Sequence, residues 1–298
     1  MAGYNRMAES ELMDRAARAG SLLRCCEICP RRCRVNRLQG ERGCCRGGRL
    51  ARVYSAAPHF GEEPPLVGSC GSGTIFLSGC NLSCVFCQNY EISQMDQGSD
   101  LEPDRLADLM IRLQDLGCHN INFVTPTHYV PQILEALVPA RERGLEVPLV
   151  YNSGGYDSVE TLRLLEGIFD IYMPDAKYGS DQMALKYSRA PGYVATMKAA
   201  IEEMHRQVGD LVIEDGIAVR GLLVRHLVLP GGLAGTEEVV RFLAGLSRKT
   251  YLNVMAQYRP EHQACQHPEL DRRITTKEHY AAVQMAIYAG LTRGLTIY

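Results

Sequence analysis

Apolar residues in this chain fall into short runs separated by amphipathic stretches, an alternation that predicts an α/β fold. Six runs read as buried strands of a parallel sheet: Thr74 to Ser78, Asn120 to Thr125, Val147 to Asn152, Phe169 to Pro174, Leu222 to Leu229 and Leu252 to Gln257. Between them, Leu106, Leu109, Met110, Leu113 and Leu116 recur at helical spacing, as do Val130, Ile133, Leu134, Leu137 and Val138. Thr275-Thr276-Lys277-Glu278 predicts a helix start with a capping box. Glu214-Asp215-Gly216, set between two apolar runs, predicts a β-hairpin over residues 211–220.

Six strand–helix alternations fit a partial (β/α)6 barrel, with a doubly wound open sheet as the rival because strand order is not written in the sequence. Both architectures place ligands at the C-terminal ends of the strands. Residues 21–49 have a different texture, rich in Cys, Arg and Gly with little apolar periodicity. The expected organisation is an N-terminal helix and Cys-rich, metal-held lobe over residues 1–70, followed by the barrel over 71–298.

Composition narrows the function classes. A single α/β barrel accommodates 298 residues, and 46% apolar content supplies its core. A formal charge of -2 without a long basic run gives no electrostatic footprint for nucleic acid. No run approaches the roughly 18 apolar residues that span a bilayer, and the charged N-terminal sequence lacks a signal-like apolar core, so a cytoplasmic protein is expected. Twelve cysteines in that compartment favour metal ligation over disulfides.

The chemistry is concentrated in Ser78-Gly79-Cys80-Asn81-Leu82-Ser83-Cys84-Val85-Phe86-Cys87-Gln88-Asn89. A cubane 4Fe-4S cluster has four iron corners and normally takes four thiolates, so three close cysteines with no obvious fourth would leave one iron open to a cofactor. Cys84-Val85-Phe86-Cys87 alone would also suit a redox pair or half of a zinc site, but neither needs a third thiol four residues upstream.

The C-x3-C-x2-C spacing, with Phe86 before the last cysteine, resembles the signature of the radical S-adenosylmethionine (SAM) enzymes. The resemblance implies that Cys80, Cys84 and Cys87 hold a 4Fe-4S cluster whose open iron is chelated by SAM, with Phe86 beside the cofactor. It further implies reductive cleavage of SAM to a 5′-deoxyadenosyl radical that abstracts a substrate hydrogen, and a reductant such as flavodoxin or ferredoxin.

Across residues 71–260 the strand ends resemble those of pyruvate formate-lyase activating enzyme and its relatives. By that resemblance Asp175 and Lys177, in Asp175-Ala176-Lys177, flank SAM, and Arg225 within the fifth strand lies by it. An arginine inside an apolar strand needs a charge partner, which agrees with such a role. Asn152 would bond the cofactor, or serve ordinary turn chemistry before its glycines. Tyr258, after the sixth strand, would stack on adenine.

The second strand departs from that family. Where a Gly-Gly-Glu-type motif normally receives the SAM amino group, this chain has Val124-Thr125-Pro126-Thr127-His128-Tyr129. Thr125, Thr127 or backbone carbonyls would have to accept that group, and His128 would face the substrate. His226, adjacent to Arg225, points to the opposite face of its strand and reads as a satisfied structural histidine. His262, Cys265 and His267 read as loop residues more readily than as metal ligands.

Cys26, Cys29, Cys33 and Cys45 could close a second site, zinc or iron–sulfur, with Cys25 and Cys44 as neighbours; reduced thiols in a loop-rich lobe are the alternative. The interleaved arginines would form an anionic-ligand patch or a solvated face. Cys70 and Cys118 show no ligand spacing. By the resemblance to the activating enzymes, the expected function is that of a radical SAM enzyme of the glycyl-radical activase type, acting on a backbone glycine of a partner enzyme. The alternatives are radical modification of a small molecule or peptide, and a non-catalytic iron–sulfur or zinc protein that carries electrons or binds a partner.

Overall fold

The computed structural model describes residues 2–296. Helix α1 (Glu9–Ser21) leads through an irregular Cys-rich stretch into strand β1 (Ala51–His59), a short helix α2 (Pro64–Val67) and strand β2 (Ser72–Leu77). There follow α3 (Tyr90–Gln94), β3 (Ser99–Leu101), α4 (Pro103–Asp115), β4 (Ile121–Val124), α5 (Val130–Glu142), β5 (Leu149–Ser153), α6 (Val159–Leu164) and β6 (Ile171–Pro174). The chain continues with α7 (Asp181–Ser188), α8 (Tyr193–Val208), β7 (Val212–Glu214), β8 (Ile217–Leu227), α9 (Thr236–Leu246), β9 (Tyr251–Met255) and α10 (Thr276–Tyr288).

All six expected strands form, and they pair in parallel in the order β2, β4, β5, β6, β8, β9. The barrel is not closed. On the β2 side the sheet continues instead into antiparallel β1 and β3, while the outer edge of β9 is covered by the C-terminal segment through the Leu252 N–H to Arg293 carbonyl bond. β5 and β6 are buried along their whole length, as strands covered on both faces must be.

Period-two alternation sorts the sheet residues into two packed layers. Val150, Ile171, Met173 and Leu223 pack inside the barrel with Leu66 of α2, whereas Tyr151, Tyr172, Leu222 and Val224 join the larger core under the helices. Leu106, Met110 and Leu113 bury the inner stripe of α4, while Leu116, past its end, is exposed. The capping box at Thr275 is formed in both directions: the Glu278 N–H donates to Thr275 Oγ1 at 3.2 Å and the Thr275 N–H to Glu278 Oε2 at 2.7 Å.

The hairpin over 211–220 is present, but its second arm runs directly into the fifth parallel strand as the single strand β8. Gly221 marks the crossover, at φ +119°. A Cβ there would strike the backbone around Asp210, so only glycine lets β8 leave β7 and pair with β6.

Residues before 71 share the barrel's sheet and core. β1 pairs with β2 from Val53 opposite Leu77 to His59 opposite Ser72, and Leu66 fills the barrel interior, where its carbonyl accepts from Asn120 Nδ2 at 2.8 Å. Leu12, Ala19 and Leu23 join the helical core. A boundary at residue 70 therefore cuts one packed unit, a pairing that the Ala- and Ser-containing β1 sequence does not announce.

Candidate active site

Register aligns the C-terminal ends of the strands. Phe76 pairs with Val124, Val124 with Asn152, and Arg225 with both Asp175 and Asn253. Asn152 follows Val150, Asp175 follows Met173 and Arg225 follows Leu223, so the interior face continues from apolar residues below to polar ones at the mouth. There they line a cavity of about 310 Å³ with Phe76, Val124, Lys177, His59, Glu62, Gln88 and Gln257.

Cys84 and Cys87, with Phe86 between them, line the same cavity. Their loop leaves β2 through Gly79, at φ +80°, where a Cβ would collide with the Cys45 carbonyl. It is then strapped down: the Ser83 and Val85 N–H groups donate to the carbonyls of Ser188 and Tyr187 at 3.1 and 2.8 Å. Sulfur atoms of the three cysteines are hydrogen-bonded, Cys80 by the Leu82 N–H at 3.3 Å and Cys84 by the Ser188 hydroxyl at 3.0 Å, while Cys87 Sγ lies 3.2 Å from Ser93 Oγ. Burial pushes the Cys84 thiol up to about 11, opposed by Lys177 and the Ser188 hydrogen bond. Burial also raises Cys80, with Cys84 and Cys87 adding to the rise and Lys177 opposing it. Cys84 and Cys87 are the cysteines that line the cavity, with Cys80 close to both of them, and three sulfurs beside a cation suit an anionic cluster.

Arg225 organises the opposite wall. Its Nε donates to Asp175 Oδ1 at 2.8 Å and its Nη2 to Asn152 Oδ1 at 2.7 Å, while Glu62 and Glu63 lie at 3.6 and 4.0 Å. Lys177 Nζ completes the lattice on Asp175 Oδ2 at 2.5 Å. Burial alone would raise the Asp175 carboxyl, but Arg225 and Lys177 outweigh it and hold it below its ordinary value. Burial raises Glu62, against the pull of Arg225. Three carboxylates thus face two cations, and the excess negative charge suits a ligand that brings a positive group. Within this region Glu63 Oε2 and both amide atoms of Asn122 are buried without a hydrogen-bond partner, as is His59 Nδ1, which lies 3.7 Å from Glu62 Oε1. Such orphaned groups are costly unless something completes them.

Several expected positions lie elsewhere. Tyr258 is buried behind the site, its hydroxyl donating to the Leu270 carbonyl at 2.7 Å and its ring edge-on to Phe86 at 5.7 Å; it supports Phe86 rather than lining the cavity. Thr127 donates to Asp157 Oδ1 at 2.7 Å, a buried carboxylate that also receives the Tyr151 and Ser153 hydroxyls. His128 is buried against the Ser78 carbonyl at 2.9 Å, and burial drops its pKa to about 3, so it braces the cysteine loop and does not line the cavity. His226 is the satisfied structural histidine expected, bonded to the Ala176 carbonyl and Thr236 Oγ1.

Glu62 and Glu63 were not foreseen. Their signal was present, two adjacent acids after His59-Phe60-Gly61 and before Pro64-Pro65, but only the β1 pairing carries that segment into the barrel. Among the described residues no three His, Cys, Asp or Glu side chains converge where a single metal ion would sit, which includes His262, Cys265 and His267. No described helix is long and apolar enough to cross a membrane.

A partial parallel barrel with a three-cysteine loop and a charged cavity at its strand ends is an arrangement suited to holding a cluster beside a cofactor. A radical SAM superfamily model matches residues 74–219. The chain is 34% identical to the uncharacterized protein MJ0674 of Methanocaldococcus jannaschii over 280 residues, 90% of this chain and 76% of that protein. The uncharacterized protein MJ0808 of the same organism is 29% identical over 157 residues, 47% of this chain and 46% of its own length. Among solved structures, a radical SAM methyltransferase from Sphaerobacter thermophilus superposes with a TM-score of 0.51 at 16% identity, covering 75% of this chain and 66% of that one. HydG, a maturase of the FeFe-hydrogenase, gives 0.53 at 13% identity, covering 74% and 50%. At such identities the structural likeness is one of fold. The chain belongs to the radical SAM superfamily, and with that membership come a 4Fe-4S cluster and SAM.

Proposed function

We propose that this protein binds SAM in the cavity beside Cys84 and uses it to remove a hydrogen atom from a glycine backbone of a partner enzyme, in the manner of a glycyl-radical activase. Cys80, Cys84 and Cys87 would hold a 4Fe-4S cluster, which would supply the electron that cleaves bound SAM and so the radical chemistry needed to abstract hydrogen. The observation that carries the reading is that the cysteine loop and the Asp175–Arg225–Lys177 lattice share one cavity.

The chain's own groups have distinct tasks in this reading. Lys177 offsets the negative charge of the thiolate set. Asp175 and Asn152, fixed by Arg225, present oxygens to ribose hydroxyls, and Phe86 closes the cavity with an aromatic face. Glu62 supplies the carboxylate missing from the end of β4, accepting the cofactor's ammonium. A cavity of about 310 Å³ stands at the small end of ligand sites, which run from roughly 300 to 1,000 Å³. One cofactor fills that space, which favours a substrate that approaches from outside, as a segment of a partner protein would. A one-electron donor such as flavodoxin or ferredoxin completes the reaction.

The test is anaerobic reconstitution followed by dithionite and SAM. Wild-type protein should release 5′-deoxyadenosine and Cys84→Ala should release none; equal turnover by both, or none by the wild type, refutes the assignment. A glycine-containing peptide deuterated at the glycine α-carbon should then pass its label into 5′-deoxyadenosine. Cleavage without label transfer would overturn the activase reading alone.

A further inference from the structure

A second group of cysteines lies against the first. Cys26, Cys29 and Cys45 are buried and Cys33 is half-buried. Backbone bonds fold them together: Cys26 exchanges bonds with Arg34 and Val35, and the Arg32 N–H donates to the Cys29 carbonyl at 3.0 Å. The Cys33 side chain packs against Gly43, two residues before Cys45, and the Arg37 guanidinium lies against Gly47 as it reaches Cys26 Sγ. Their sulfurs meet N–H donors: the Gly47 N–H reaches Cys45 Sγ at 3.4 Å, and the backbone of Arg31 and of Cys44 reach Cys29 and Cys33. The segment is also strained. Arg32, Arg34 and Arg46 adopt φ of +41°, +56° and +63°, conformations that non-glycine residues hold only where the surroundings over-determine them.

Arg37 gives the independent indication of charge. It is the largest fully buried side chain, 1% exposed, and no carboxylate among the described residues lies within ion-pair distance. Its Nε and Nη2 donate to the Gly48 carbonyl at 2.9 and 2.7 Å and its Nη1 to the His128 carbonyl at 2.7 Å, with Cys26 Sγ at 4.0 Å. A buried guanidinium without an anion is costly by several kcal/mol. The nearby groups able to become anionic include the sulfurs of Cys26 and Cys45.

We propose that Cys26, Cys29, Cys33 and Cys45 hold a second iron–sulfur cluster whose negative charge is the counter-ion of Arg37, seated directly behind the Cys80 loop. Zinc would need its ligands around one point, and no such convergence exists among the described residues; a cubane binds each thiolate at a different iron and needs none. Three contacts define the seating. The Cys45 carbonyl abuts Gly79, Arg31 Nε donates to the Asn81 carbonyl at 2.8 Å, and Arg37 and Ser78 meet through the backbone and ring of His128. This inference does not rest on SAM cleavage.

The decisive sample is full-length protein carrying Cys80→Ala, Cys84→Ala and Cys87→Ala together, reconstituted anaerobically. It should retain about four iron and four labile sulfide per chain, and wild type about twice that. Absence of iron and sulfide from the triple variant, or one zinc in their place, overturns the proposal. In the triple-variant background, Arg37→Gln should lower the cluster's reduction potential, since a cation beside it is removed; an unchanged potential in an EPR-monitored titration refutes the counter-ion role. Fully reduced wild type should show an EPR spectrum split by coupling between the two clusters. A spectrum equal to the sum of the triple variant's and that of Cys29→Ala/Cys45→Ala would refute the seating.

Discussion

Replacing Arg225 by methionine tests the charge lattice on which the site depends. Arg225 retains 17% of its side-chain surface and Asp175 11%, so the pair is partly shielded from water. Removing one partner of a buried ion pair typically costs about 3–5 kcal/mol. Lys177 still pairs with Asp175 at 2.5 Å, so we expect the lower end, about 3 kcal/mol, by urea denaturation at pH 7. Arg225→Lys keeps the charge but cannot span Asp175 and Asn152 together, and should lose about 1–2 kcal/mol.

The pH dependence provides a second readout. In the wild type the folded Asp175 carboxyl is held below its ordinary 3.8, so its stabilisation is complete above that value and is lost as pH falls through the depressed one. In Arg225→Met the crowded carboxylates would have raised folded values, so the folded state takes up protons and stability falls as pH rises through that range. The wild-type minus variant difference should therefore shrink on acidification. A loss under about 1 kcal/mol at pH 7, or a difference independent of pH from 7 to 4, would refute the lattice as described.

Glu62→Gln should weaken SAM binding to the cluster-loaded protein about tenfold, or about 1.4 kcal/mol, by equilibrium dialysis. Burial raises the Glu62 carboxyl, so its ionisation opposes folding above its ordinary 4.5, and the variant should melt no lower at pH 7; unchanged affinity would remove Glu62 from the cofactor site. Tyr258→Phe should cost about 1 kcal/mol through the lost bond to the Leu270 carbonyl, while SAM affinity stays within about twofold. A much larger affinity loss would place that ring at the ligand instead.

The parallel strands were legible because each is a short apolar run bounded by turn residues, and their order followed once the sheet was seen. That the cysteine loop, Asp175, Lys177, Arg225 and Asn152 meet at one cavity was readable for a related reason: each stands at or just beyond the end of such a run, where the interior face becomes polar. β1 escaped because Ala51 to His59 has no sustained apolar alternation, and its place is fixed by β2 rather than by its own preference. Glu62 and Glu63 were missed with it, since nothing local says that a loop will turn into a barrel. Tyr258 was misplaced because sequence position locates a residue after a strand but not the direction of its ring. The bonds of Thr127 and His128, to Asp157 and Ser78, span 30 and 50 residues and are set by tertiary packing.

Gly221 constrains how the length of this chain can vary. Beyond the tip of its hairpin, β8 must deliver a guanidinium to one side of the sheet and the neighbouring imidazole to the other. A single residue inserted between Gly221 and Val224 would carry Arg225 into the place of His226 and bury charge beside Thr236, and a single deletion would carry His226 into the place of Arg225 and leave a neutral ring facing Asp175. Length changes are therefore tolerable at Asp215 and Gly216, whereas the few positions after the crossover behave as a fixed ruler.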